Sequence, residues 1–135
     1  MMVSAKESIL IPISPGELLD KITILEIKSK RIESVEKKLH VNKELALLNA
    51  VWHESVASDT ELVSMREELK SINESLWVIE DDIREEERNK RFGDRFIELA
   101  RSVYVTNDQR ANVKKRVNLH LNSEIVEEKS YQDYS

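Results

Sequence analysis

The residues whose types and spacing could do chemistry fall into two sets. The first is Arg101, Tyr104, Thr106, Asn107, Asp108, Arg110 and Lys114, which brings side-chain donors and several cations into one short stretch. Arg110 and Lys114 stand four apart and share a helix face, close enough to grip one phosphate or carboxylate between them. Thr106-Asn107-Asp108-Gln109 reads as a capping box, so the spacing predicts a helix break at 105–107 and a fresh helix start whose free N–H groups favour an anion. The second set is Lys21 and Lys28, seven apart and projecting between Leu25 and Ile24 into the apolar stripe of the first helix. Either their stems pack while the ammonium groups reach water or a carboxylate, or they line an anion pocket. Lys21, Lys28, Arg101, Tyr104, Asn107, Asp108, Arg110 and Lys114 are therefore the candidate ligand set for a small anionic metabolite, a sugar phosphate or nucleotide sugar. An enzyme built from them would work by charge and orientation, with a carboxylate moving a proton.

Other chemistries find little in the chain. The run Glu80 to Glu87 is strongly acidic, but its carboxylates point to all sides of one helix, and magnesium wants several that converge. Glu17 and Asp20 repeat the Glu-x-x-Asp spacing of helical magnesium-dependent pyrophosphatases. His40, His53 and His120 have no metal-ligand spacing, so no metal and no cofactor is assigned. The absence of cysteine removes disulfides and thiol chemistry. With only Gly16 and Gly93 there is no phosphate loop and no nucleophile elbow. A net charge of -5 argues against duplex nucleic acid, which needs a basic face. The apolar run Ser8 to Ile13 carries Pro12 and is too short to span a membrane or serve as a signal core, so a cytoplasmic protein is expected.

Long helices must position these residues. At 135 residues, with 35% charged residues, two Gly and two Pro, the chain suits one all-α domain over 1–135: a bundle of four to five helices with extended N- and C-terminal segments. Residues 1–7 and 132–135 are expected to be loose. Ser14-Pro15-Gly16-Glu17 is a strong helix start, with Ser14 accepting from the Glu17 N–H, the Glu17 carboxylate reaching back, and Pro15 at the first helical position. The stripe Leu18, Ile22, Leu25, Ile32, Leu39 predicts a long first helix, and Leu45, Leu48 and Trp52 a second over about 42–56. Ser58 and Glu61 predict the next start. Leu62, Met65, Leu69, Ile72, Leu76, Ile79 and Ile83 then alternate three and four apart, a heptad seam. Gly93 and Asp94 end that helix and begin the last.

Several segments resemble a family of small bacterial helical proteins of unknown function. The likeness is carried by Ile13 to Lys28, by Asn73 to Arg84, by Phe92-Gly93, by Phe96 to Tyr104, by Asn107-Asp108 and by Glu127 to Tyr131. The resemblance implies that polar residues such as Asp20, Trp77, Glu80, Asp81, Arg84 and Arg110 form a shared feature, and it implies a loose association with cell-surface polysaccharide and glycosyl-transfer pathways. A shorter stretch, Leu18 to Arg31, is similar to the first helix of helical chorismate mutases, with Lys21, Lys28 and Arg31 in the cationic parts and no arginine at the helix start.

The seam carries Asn73, Trp77, Glu80 and Arg84 on its flank, and a large aromatic there needs cover. The leading expectation is thus a binding or assembly module that self-associates as a homo-oligomer through this flank, with the anionic-metabolite reading as the alternative.

Overall fold

The computed structural model describes residues 8–134, and within them every regular element is a helix: α1 Pro15–Arg31, α2 Val35–Ser55, α3 Thr60–Arg88 and α4 Asp94–His120. The expected looseness of residues 1–7 lies outside the described residues. All-α is therefore correct, with extended segments before α1 and after α4. The backbone of α1 lies close to all three other helices, α3 runs along α4, and the backbone of α2 comes close to α1 alone. This centrality explains why α1 is apolar nearly all round at its start: Leu18, Leu19, Ile22, Leu25 and Ile27 are buried, and Asp20 and Thr23 are buried with them.

Helix α1 starts as its sequence dictates, with Ser14 Oγ accepting from the Glu17 N–H at 3.2 Å and Pro15 in the first turn. Only half of the expected capping box forms, because the Glu17 carboxylate turns away to Lys114 Nζ at 2.6 Å. The helix is shorter than the apolar stripe predicts. It ends at Arg31, Ile32 turns extended, and Ser34 caps α2 by accepting from the Lys37 N–H at 3.3 Å. Val35 and Leu39 consequently belong to α2, which begins seven residues earlier than its own periodicity suggests. The start of α3 also shifts: Asp59, not Ser58, is the cap, its Oδ1 accepting from the Leu62 N–H at 2.8 Å.

The heptad seam of α3 faces inward, fully at Leu62 and Leu69 and partly at Met65, Ile72, Leu76, Ile79 and Ile83. Leu62 and Leu69 meet Leu18, Leu19, Ile22, Trp52, Val113 and Val117 in one core. Helices α3 and α4 run antiparallel, and long-range ion pairs mark the register: Arg95 with Asp82 at 3.4 Å, Arg116 with Glu68 at 2.6 Å, and His120 with Asp59 at 2.8 Å. The reversal between them passes through Lys90 in the left-handed region (φ 56°) rather than through Gly93, which is extended and caps α4 without a side chain.

The expected break at 105–107 does not occur. Helix α4 is continuous from Asp94 to His120, so Thr106 to Gln109 form an interior turn and have no free N–H groups to offer an anion. A capping pattern stabilises a helix start by roughly 1 kcal/mol. Leu99, Val113 and Val117, buried on either side of it along one helix, hold the chain helical instead.

The C-terminal segment docks. Past Asn122, Lys114 meets Glu127 at 3.2 Å, Lys115 meets Glu128 at 3.1 Å, and the Tyr134 ring lies 5.1 Å from that of Tyr104. Residue 135, the end of the segment expected to be loose, lies outside the described residues. Among the described residues no helix is long and apolar enough to cross a membrane.

Candidate functional site

Asp20 is where three helices meet. It sits on the buried side of α1, so its carboxylate is 1% exposed and would cost several kcal/mol if left unpaired. Helix α4 supplies Arg110, whose Nε donates to Asp20 Oδ1 at 2.8 Å while Nη2 donates to Oδ2, a two-point clasp. Helix α3 supplies Asn73, whose amide donates to Asp20 Oδ1 and to Thr23 Oγ1, both at 3.0 Å. Thr23 in turn donates to the Asp20 carbonyl at 2.9 Å. Among the described residues no buried side-chain nitrogen or oxygen lacks a partner, so the junction is a closed network. The bond to Asp20 pushes the Arg110 pKa up against the opposing effect of burial, and the guanidinium stays charged.

Two clefts open on either side of this clasp, and Arg110 and Asn107 line both. The first, of about 410 Å³, lies between α4 and the C-terminal segment and is walled by Tyr104, Asp108, Lys114, Lys129 and Tyr131. Five of the eight predicted ligand residues gather there: Tyr104, Asn107, Asp108, Arg110 and Lys114. The cations are already matched. Lys114 bonds Glu17 at 2.6 Å and Glu127 at 3.2 Å, and Lys129 bonds Glu127 at 2.9 Å. Burial would lower the Lys114 pKa, but its bonds to Glu17 and Glu127 and the field of Asp20 override that and raise it. Glu127 is held below the usual carboxylate range by Lys129 and Lys114. An anion entering this cleft would have to displace Glu127.

The second cleft, of about 470 Å³, lies between α1, α3 and α4 and is lined by Ile24, Lys28, Leu76, Trp77, Glu80 and Arg84, with Asn73 and Asp81. It gathers Lys28, Asn107 and Arg110 from the predicted ligand set, and Trp77, Glu80 and Arg84 from the predicted interface. Asn73, also expected at the interface, is 5% exposed and bonds inward to Asp20. Lys21 and Arg101 join neither cleft. Lys21 is exposed and 4.0 Å from Glu17, and Arg101 faces outward beside Asp94 and Glu98. Arg31 pairs with Glu74 at 3.0 Å and lines neither cleft. Glu17 and Asp20 hold Lys114 and Arg110 respectively, and the Glu-x-x-Asp spacing serves ion pairs.

Thr23, Asn118, Lys129 and Tyr131 complete the surroundings, and sequence reasoning assigned them no role there. Asn118 is the least visible. It is 2% exposed and its Oδ1 accepts from the Gly16 N–H at 2.7 Å, tying the start of α1 to α4. A buried asparagine 102 residues from its partner leaves no local signal.

The residues that build the clasp and its clefts span Asp20 to Tyr131, and a single family model matches residues 9–134. The chain belongs to DUF6165, a family of unknown function. No curated protein and no solved structure matches it. The family match covers α1 to α4 and both extended segments, so the clasp and its two clefts lie wholly within the region that defines it.

Proposed function

We propose that this protein is a self-associating helical module, in which the four helices form one protomer's share of a larger bundle. The observation that supports it is the apolar surface left exposed on α2.

The second copy is assigned to α2. That helix of 21 residues buries only Trp52 and brings its backbone close to α1 alone, while Val35, Leu39, Leu47 and Val51 stand exposed as two pairs four residues apart. A helix that packs poorly on its own chain is stabilised by a partner rather than by propensity. The expected flank of α3 is less suited, because Trp77, Glu80 and Arg84 line a recess and Asn73 is inside.

Sedimentation equilibrium at tens of micromolar tests this. A dimer or larger species is expected, and Leu39→Arg with Leu47→Arg should shift it to monomer with the helical circular dichroism retained. Wild-type protein that sediments as a monomer overturns the proposal. A dimer lost with Trp77→Ala but kept in the α2 variant would move the interface back to α3 and overturn the assignment to α2.

A further inference from the structure

We propose that the cleft between α1, α3 and α4 binds a small aromatic anion. None of its lining residues belongs to α2, so the site stands apart from self-association. Three features converge in it. Arg110 is held by Asp20 through Nε and Nη2, and Asp20 is itself fixed by Asn73. The remaining nitrogen, Nη1, makes only a long 3.4 Å contact to Asn107, so a guanidinium edge is oriented in advance beside both clefts. Such pre-organisation lowers the cost of binding an anion. Lys28 lines the same cleft, and among the described residues no carboxylate lies within ion-pair distance of it, whereas Lys114 and Lys129 in the neighbouring cleft are both paired. Trp77, with Ile24 and Leu76, supplies a flat apolar wall, and a half-buried indole is the side chain best suited to stack on an aromatic ring.

The two ends of the cleft differ. Asn73 and Arg110 both donate to Asp20 Oδ1, which places Arg110 at the level of Asn73 on α3. Glu80 lies two turns further along α3, about 10 Å on. Glu80 is tied to Arg84 at 3.4 Å, and Asp81 is exposed beside it. Carboxylates at that end repel a polyanion and accept hydrogen bonds from ring N–H or O–H groups. The ligand that fits carries one anionic group that reaches Arg110 or Lys28, a planar body on Trp77, and donors facing Glu80 and Asp81. A volume of about 470 Å³ suits a molecule of mononucleotide size or smaller.

Tryptophan emission reads the site directly, since Trp52 is 5% exposed in the core and Trp77 lines the cleft. Phenyl phosphate, adenosine 5′-monophosphate and guanosine 5′-monophosphate would be titrated by fluorescence and calorimetry, with inorganic phosphate and free adenosine as controls. At least one aromatic anion should quench saturably and bind about tenfold or more tightly than either control. Lys28→Met should weaken that binding about tenfold, the loss of one charge-assisted bond, while Lys21→Met, outside the cleft, leaves it unchanged. Absence of saturable binding up to millimolar concentrations overturns the proposal. Equal binding of inorganic phosphate removes the aromatic wall, and an unaffected Lys28→Met of wild-type melting temperature removes the cation; either result overturns it too.

Discussion

Gly16 and Lys114 approach so closely that a β-carbon on Gly16 would lie 2.3 Å from the Lys114 carbonyl oxygen and 2.9 Å from Asn118 Oδ1. The start of α1 is thereby pressed onto the backbone of α4, and the Gly16 N–H is satisfied by Asn118 rather than by water. This contact uses glycine for its lack of a side chain and not for its backbone freedom, since Gly16 is helical.

Replacing Gly16 by alanine therefore separates two effects of opposite sign. Helix propensity alone favours alanine by about 1 kcal/mol. The clash is with backbone, which cannot swing aside, so α1 and α4 must part and the buried core beside them loosens. A net loss of roughly 3 kcal/mol is expected on urea denaturation. Asn118→Ala, which leaves the Gly16 N–H buried without an acceptor, should cost about 1–3 kcal/mol. A stabilised Gly16→Ala variant would show that the two helices do not meet as described.

Much of this was legible in the sequence where the determinants are local. Ser14 and Pro15 set the start of α1, and the three-and-four spacing of Leu62 to Ile83 gave α3 and its inward face. The failures have physical causes. Thr106 to Gln109 carries the residues of a cap, but packing at Leu99 and Val113 outweighs a single cap and the helix runs through. Ser34 was hidden because Ile32 and Leu39 happen to continue the period of α1 across the gap. The site was legible in part: Arg110, Asn107 and Lys28 stood out by type, while Asn73 looked like an interface residue because sequence cannot tell which side of a seam another helix covers. Gly16 and Asn118 owe their roles to contacts about a hundred residues away.

The Asp20 and Arg110 pair offers a second test. Asp20→Ala leaves the guanidinium, 28% exposed, without its clasp, and Arg110→Ala leaves a 1% exposed carboxylate with only Asn73. Each should lower stability by about 3 kcal/mol, because the surviving partner remains partly or wholly buried. The double variant should cost clearly less than the two singles together, with a coupling of about 1–3 kcal/mol in the mutant cycle. Additive losses would mean that the two side chains do not act on each other.

The last prediction concerns pH and the far end of the α3–α4 pair. His120 Nε2 lies 2.8 Å from Asp59 Oδ2, and Nδ1 lies 3.2 Å from Glu61 Oε2. The bond to Asp59, with the fields of Asp59 and Glu61, raises the His120 pKa above its ordinary value. The Asp59 pKa is lowered, chiefly by the bond from the Leu62 N–H and then by His120. A raised histidine pKa contributes stability that is complete below about pH 6.5 and is lost as pH rises through the raised value. A lowered aspartate pKa contributes stability that is complete above about pH 3.9 and is lost as pH falls through the lowered value. The latch is therefore strongest between these limits. Because the groups face solvent, the effect is modest and weakens with salt. Melting temperatures at pH 5.5 and pH 8 should show a small advantage at the lower pH from this contact, and His120→Gln should remove that advantage while leaving stability at pH 8 nearly unchanged. If the variant keeps the full difference between the two pH values, the dependence arises elsewhere, and His120 does not tie α4 to the start of α3.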